Sequence, residues 1–150
     1  MAQIHKHEKV IEIKNSAEAF WKIFSSEAYR IPKVTDKVAS IELVAGDWSS
    51  NDSVKSWHYN LNGKAEIFKE RTQVDKANKT LTVTALEGDI LRNCKTWKAT
   101  FQAAPKTETA SYVKISLEYE KINEDDPVPR QYFDFVEGLA KEVGDNLSKA

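Results

Sequence analysis

The residues best suited to chemistry in this chain fall in one predicted hairpin. From Val54 to Leu61, Lys55, Trp57, Tyr59 and Leu61 alternate with Val54, Ser56, His58 and Asn60, the period that puts successive side chains on opposite faces of a strand. From Lys64 to Val74, the set Glu66, Phe68, Glu70, Thr72 and Val74 opposes Ala65, Ile67, Lys69, Arg71 and Gln73. The aromatic set of the first strand and Phe68 of the second mark the inward faces, which carries Lys55 and Glu70 inside. An unpaired buried charge is costly, so Glu70 needs a partner or takes up a proton. Lys55 and the hydroxyls of Tyr59 or Tyr119 are candidate partners. A carboxyl so placed can orient a ligand or move a proton, which makes Glu70, Tyr59 and Tyr119 the candidate catalytic groups. It can equally be half of an internal ion pair, or a carboxylate near a wet cavity mouth.

Other reactive side chains are isolated. His5 and His7 share a strand face at a spacing that suits two metal ligands, but no nearby Cys, Asp or third His completes a set and Glu8 points the other way. No metal or other cofactor is expected. His58 falls on the outward face. Nothing places a Ser-His-Asp or Cys-His pair together. The lone Cys94 either lines an interior space or acts as an inert small hydrophobe.

The elements that must position these groups read as strands and one long helix. Glu8 to Ile13 is a first strand. Asn15 is a predicted helix N-cap with Glu18 as its capping-box partner, followed by a short helix carrying Phe20, Trp21 and Phe24. A second short helical piece runs from Ser26 towards Tyr29 and stops near Pro32. Val38 to Val44 is a strand that leads into the polar loop Ala45 to Asp52. Asn62-Gly63 joins the two hairpin strands through a two-residue turn. Thr80 to Leu86 follows, with Leu81, Val83 and Ala85 inward, then the turn Glu87-Gly88-Asp89. In the strand Cys94 to Ala103, Trp97, Ala99 and Phe101 oppose Cys94, Thr96, Lys98 and Thr100, and a bulge could mix the two faces. Tyr112 to Ile122 alternates Val113, Ile115, Leu117 and Tyr119 inward. After an acidic, proline-marked break, Arg130 to Ala150 carries Tyr132, Val136, Leu139, Ala140, Val143 and Leu147 as one helical stripe. The class is α+β. A helix is about 10 Å across, and a sheet of six or seven strands at about 4.8 Å is about three times wider. The sheet must therefore curl around the helix, and the remaining space is a candidate cavity.

Composition sets the bounds. With 150 residues, 41% hydrophobic and 30% charged, a single domain (1–150) with its own core is expected. A net charge of −1 lacks the footprint of a nucleic-acid-binding protein, and no apolar run approaches the roughly 20 residues of a membrane span. The opening MAQIHKHEKV has no signal-peptide core. A single cysteine excludes an internal disulfide, so a reducing, cytoplasmic setting is expected.

Several motifs in order carry a resemblance: Gly46-Asp47-Trp48, Ser53-Val54-Lys55 with Trp57, Asn62-Gly63-Lys64, Lys69-Glu70, Glu87-Gly88-Asp89, Tyr119 to Glu124, and Pro129 with Tyr132-Phe133-Asp134-Phe135. Together, over roughly Glu8 to Leu147, they resemble the major latex protein-like branch of the birch-pollen-allergen (pathogenesis-related class ten) superfamily. The resemblance implies a helix-grip fold, with a seven-stranded curved antiparallel sheet around a long C-terminal helix, two short bracing helices and a large internal hydrophobic cavity. It also implies a plant cytosolic protein, some of whose relatives are cofactor-free enzymes that cyclise, condense or isomerise alkaloid or terpenoid intermediates. One departure is the loop after Trp48, glycine-rich in that family and Ser49-Ser50-Asn51-Asp52 here, which weakens any phosphate-cradling role.

Two functions of different class follow. The first is a carrier of small hydrophobic metabolites, with Phe20, Lys55, Trp57, Tyr59, Phe68, Leu81, Val83, Ile115, Leu117, Tyr132, Phe133, Val136 and Ala140 as candidate ligand contacts. The second is a cofactor-independent cyclase or isomerase of specialised metabolism, in which a dry cavity enforces one folded substrate conformation and Glu70 or a tyrosine exchanges a proton. A third possibility is an interior filled by its own aromatics. Loop Ala45 to Ser53 and the ends of the two short helices are the candidate entrance, and monomer and weak dimer both stay open.

Overall fold

The computed structural model describes residues 3–149, with Lys149 described by its backbone alone. Seven strands form one antiparallel sheet: β1 (Ile4–Ile13), β2 (Val38–Ala45), β3 (Ser53–Leu61), β4 (Lys64–Asp75), β5 (Thr80–Gly88), β6 (Cys94–Pro105) and β7 (Ser111–Lys121). Their spatial order is β1-β7-β6-β5-β4-β3-β2. Two α-helices accompany it, α1 (Ala17–Ser26) and α2 (Arg130–Asp145), with 3₁₀ turns at Ala28–Lys33, Asp89–Arg92 and Leu147–Lys149.

The curl is visible in what α2 touches. It packs on β1, at one edge of the sheet, and also on β3, five strands away. On a flat sheet those strands would lie about 24 Å apart, more than twice a helix diameter. The sheet therefore wraps the helix, and its concave face and the apolar stripe of α2 enclose one continuous core from Ile13 to Val143.

Local chemistry fixes the corners. Asn62 and Gly63 both have positive φ, 52° and 82°, as the type I′ turn requires, and they set the β3–β4 register that pairs Trp57 with Phe68 and Lys55 with Glu70. At the other end, α2 closes on β1 at Gly144. A Cβ there would stand 2.5 Å from Ile13 Cγ2, so only a glycine admits this approach.

Three expectations are corrected. The N-cap of α1 is Ser16, whose hydroxyl accepts from Ala19 N at 3.1 Å. Asn15 instead donates its amide to Gly144 O at 2.6 Å, and Glu18 pairs with Lys79 at 3.5 Å. The second short helix, as expected, ends near Pro32; it is a 3₁₀ turn over Ala28–Lys33. The long helix stops at Asp145, where Asn146 folds its amide back onto Glu142 O; Ala150 lies outside the described residues. Glu87 and Gly88 continue β5, and the turn begins at Asp89.

Candidate functional site

On β4 the inward face carries two carboxylates four residues apart, and they live in different surroundings. Glu70 is 3% exposed and Lys55 is 2% exposed. They make no direct bridge. Lys55 Nζ donates to Ser53 Oγ at 3.0 Å and to Thr72 Oγ1 at 3.3 Å, and the Thr72 hydroxyl donates to Glu70 Oε2 at 2.7 Å. Burial pushes the Glu70 carboxyl up, opposed by the Thr72 hydrogen bond and the Lys55 charge. Burial also pulls the Lys55 ammonium down, against the attraction of Glu70. The result is a closed internal network bridged by a threonine. The indole N–H of Trp57 lies towards Glu70 and favours its ionised form, yet it is the single buried side-chain polar atom among the described residues with no hydrogen-bond partner.

Glu66 is 6% exposed and accepts two hydrogen bonds on one oxygen, from Tyr59 Oη at 2.9 Å and Tyr132 Oη at 2.8 Å. The strand brings Tyr59 opposite Glu66 in register, and α2 delivers Tyr132 from above in its first turn. Both phenols are held protonated, first by burial and then by the bond to the Glu66 carboxylate. Tyr59 therefore partners Glu66 rather than Glu70.

Between the concave sheet and α2 lies an apolar cavity of about 80 Å³. Its walls are Trp57, Tyr59, Phe68, Val83, Ile90, Trp97, Ala99, Phe101, Tyr132, Phe135, Val136 and Leu139. A water-sized sphere needs about 10–15 Å³ by this kind of measure, so the space holds several such spheres. That is smaller than the large cavity the resemblance implies, because seven aromatic rings crowd inward. Tyr59 and Phe135 meet at 5.0 Å between ring centres. Outside the Tyr132–Glu66 bond lies a polar groove of about 330 Å³, formed by the β3–β4 turn, the turn at Asp89–Arg92 and the start of α2.

Of the expected ligand contacts, Trp57, Tyr59, Phe68, Val83, Tyr132 and Val136 line the cavity. Phe20, Leu81, Ile115, Leu117, Phe133 and Ala140 do not; they face inward but pack in the solid core. Phe20 lies against Phe24, and Phe133 stacks on His7 at 4.3 Å. Lys55 and Glu70 lie in their own network, off the cavity wall. Tyr119 stacks on His5 at 5.4 Å and its hydroxyl is pushed up by burial. Trp48, in the loop expected at the entrance, sits edge-on to Tyr29 at 5.1 Å. Neither that loop nor the short helices reach the cavity wall.

Cavity residues absent from the expectation have readable causes. A register shift between Cys94 and Thr96 turns both Cys94 and Trp97 inward, which resolves the ambiguous face of β6 in favour of Trp97, Ala99 and Phe101. Phe135 and Leu139 flank Val136 on the same helix face. Glu66 shares the strand parity that identified Glu70. The His5 and His7 rings bond separate carboxylates, Glu124 at 2.9 Å and Glu137 at 3.1 Å. Among the described residues no group of three His, Cys, Asp or Glu could hold a metal, and no helix is long and apolar enough to cross a membrane.

Comparison with known proteins agrees with this geometry. Residues 2–150 match the pathogenesis-related protein Bet v 1 family. The chain is 33% identical to MLP-like protein 328 of Arabidopsis thaliana over 141 residues, covering 93% of each. It superposes on the crystal structure of major latex-like protein 151 from Panax ginseng with a TM-score of 0.87 and 26% identity, covering 94% of this chain and 95% of that one. A norcoclaurine synthase from Thalictrum flavum shares the fold at a TM-score of 0.71 and 16% identity, over 95% of this chain and 87% of that one. With a helix-grip sheet, a matching family over nearly its whole length and major latex-like relatives, the chain belongs to the Bet v 1 family, in its major latex protein-like branch.

Proposed function

We propose that this protein is a plant cytosolic binding protein that holds a small hydrophobic metabolite between its sheet and α2. The observation that carries the reading is the apolar cavity walled by Trp57, Phe68, Trp97 and Phe101. Aromatic walls with few polar groups are what a small-molecule pocket requires. At about 25 cal/mol per Å², a guest burying on the order of 300 Å² of apolar area gains about 7–8 kcal/mol before association costs, enough for weak to micromolar binding. The resting space suits a single ring. A terpenoid-sized guest requires the cavity walls to move.

The test is tryptophan quenching and native mass spectrometry with a graded series of cyclic hydrocarbons, on the wild type and on Ala99→Leu, which puts three more carbons into the cavity. Saturable one-to-one binding in the wild type, weakened at least tenfold in Ala99→Leu at an unchanged melting temperature, supports the reading. No binding by any member of the series, or equal affinity in the filled variant, overturns it.

A second reading is a cofactor-independent cyclase or isomerase. It is favoured by the Tyr59–Glu66–Tyr132 cluster, two protonated phenols sharing one carboxylate beside an apolar space. Such a cluster could lend a proton to a carbonyl oxygen and recover it, and Glu66 rather than Glu70 is the carboxylate in position. Incubation with a reactive dialdehyde decides it: a shifted product ratio that survives in Glu70→Gln but is lost in Tyr59→Phe/Tyr132→Phe supports this reading, and a ratio equal to that in buffer rejects it.

A further inference from the structure

The buried carboxylates of β4 differ in one respect that bears on the ligand. Glu70 has a cation in its network. Glu66, 6% exposed and on the wall of an open groove, takes part in none of the ion pairs formed among the described residues, and its hydrogen-bond partners are two neutral phenols. A carboxylate removed from water is normally paired, because the desolvation cost is met only by an opposite charge and filled hydrogen bonds. Two phenol donors meet part of that need on one oxygen, Oε1, and supply no opposite charge.

The position of Glu66 is specific. Its phenol partners Tyr59 and Tyr132 are cavity walls, and Glu66 itself, with Tyr132, lines the polar groove outside. The carboxylate thus stands on the groove side of the two tyrosines that wall the cavity. Aromatic faces attract organic cations, more strongly when desolvated. The groove also carries Lys64, Asp89 and Arg92. Asp89 pairs with Arg92 at 3.5 Å and accepts from the Ile67 backbone at 2.8 Å, whereas Arg92 is largely exposed and Lys64 is exposed too, so their repulsion of a cation at Glu66 is screened by water.

The geometry points to a small apolar amine, bound as its ammonium, as the preferred guest: its head on Glu66 between the two tyrosines and its hydrocarbon part against the cavity aromatics. This inference rests on the cavity reading above and sharpens it by naming the ligand's charge. The head supplies the missing counter-ion, and a charge-assisted hydrogen bond replaces one made to water.

Three probes of one shape test it: benzylammonium, benzyl alcohol and ethylbenzene, titrated at pH 7 and low salt by calorimetry. The wild type is expected to bind benzylammonium about tenfold to a hundredfold more tightly than ethylbenzene, the range of a charged hydrogen bond, with benzyl alcohol between them. E66Q keeps an acceptor for the phenols but removes the charge, and is expected to bring the ammonium-to-ethylbenzene ratio within about threefold of unity. A wild-type ratio at or below one, or benzyl alcohol as the tightest of the three, overturns the inference while leaving the cavity reading intact. An ammonium preference that persists in E66Q assigns it to the aromatic walls and overturns the role of Glu66. If no probe binds, the cavity reading falls, and this inference with it. Because the wild-type ratio is measured first, the inference stays falsifiable even if E66Q folds poorly.

Discussion

Removing either end of the Lys55–Thr72–Glu70 network should destabilise the fold in a pH-dependent way, and with opposite sign for the two ends. Breaking a buried pair by deleting one partner costs about 3–5 kcal/mol, because the other charge is left without compensation. For a domain of this size each kcal/mol moves the melting temperature by about 2–4 °C, so a loss of about 6–20 °C is predicted for Lys55→Met and for Glu70→Leu near pH 7. In Lys55→Met the residual Glu70 has lost the charge that held its carboxyl down. Its folded pKa then lies further above the unfolded value, so the stability it contributes is complete below the unfolded pKa and disappears as pH rises through the folded one. The deficit should be small at pH 5 and large at pH 8. In Glu70→Leu the residual Lys55, already pulled down by burial, lies further below its unfolded value. The stability it contributes is complete above about pH 10.5 and is lost as pH falls through the folded pKa, so this deficit should shrink from pH 7 towards pH 10. The double variant Lys55→Met/Glu70→Leu leaves no buried charge and should equal or exceed the wild type by about 1–4 kcal/mol. The assay is urea unfolding followed by tryptophan fluorescence at pH 5, 7 and 9.5. Single-variant losses under 1 kcal/mol with no pH trend, or a double variant whose loss is the sum of the singles, would refute the coupled-pair account.

Two further outcomes follow from close contacts elsewhere. Gly144→Ala should destabilise by about 1–3 kcal/mol through overpacking against Ile13, although alanine is the better helix former by about 1 kcal/mol; a variant as stable as the wild type in urea would show that the α2–β1 contact yields easily. Cys94 is 1% exposed and its thiol is pushed up to about 11 by burial, so at pH 8 it should react with Ellman's reagent only on unfolding, and rapid labelling of the native protein would disprove this.

Much of the fold was legible because its signals are local. Alternation on β3, β4 and β7, the Asn62-Gly63 turn and the stripe of α2 each needed only a few neighbouring residues. What the sequence hid was non-local. Whether Asn15 or Ser16 caps α1 depends on Gly144 being near enough to take the Asn15 amide, a contact across 129 residues. The inward face of β6 depends on one register shift. The cavity wall is harder still, since facing inward does not decide whether a side chain meets space or another side chain. Leu81 and Val83 share a face of β5, yet Val83 lines the cavity and Leu81 does not, because the outcome turns on which rings of β6 and α2 lie opposite.

The two inward glutamates of β4 show how far strand parity reaches. Parity places Glu66 and Glu70 on one face and assigns both to the interior, and it gives no reason to treat them differently. Partners do. The strand opposite offers Lys55 across from Glu70 and Tyr59 across from Glu66, so one carboxylate meets a cation and the other a phenol. A lysine with threonine and serine around it completes an internal network that holds β3 to β4 and brings a cation to Glu70. A pair of phenols satisfies hydrogen bonds on one oxygen and brings no cation, beside a polar groove. One substitution on the facing strand therefore separates a carboxylate that serves stability from one that can serve a ligand. The distinction lies in the β3–β4 register, which Asn62 and Gly63 fix before any ligand arrives.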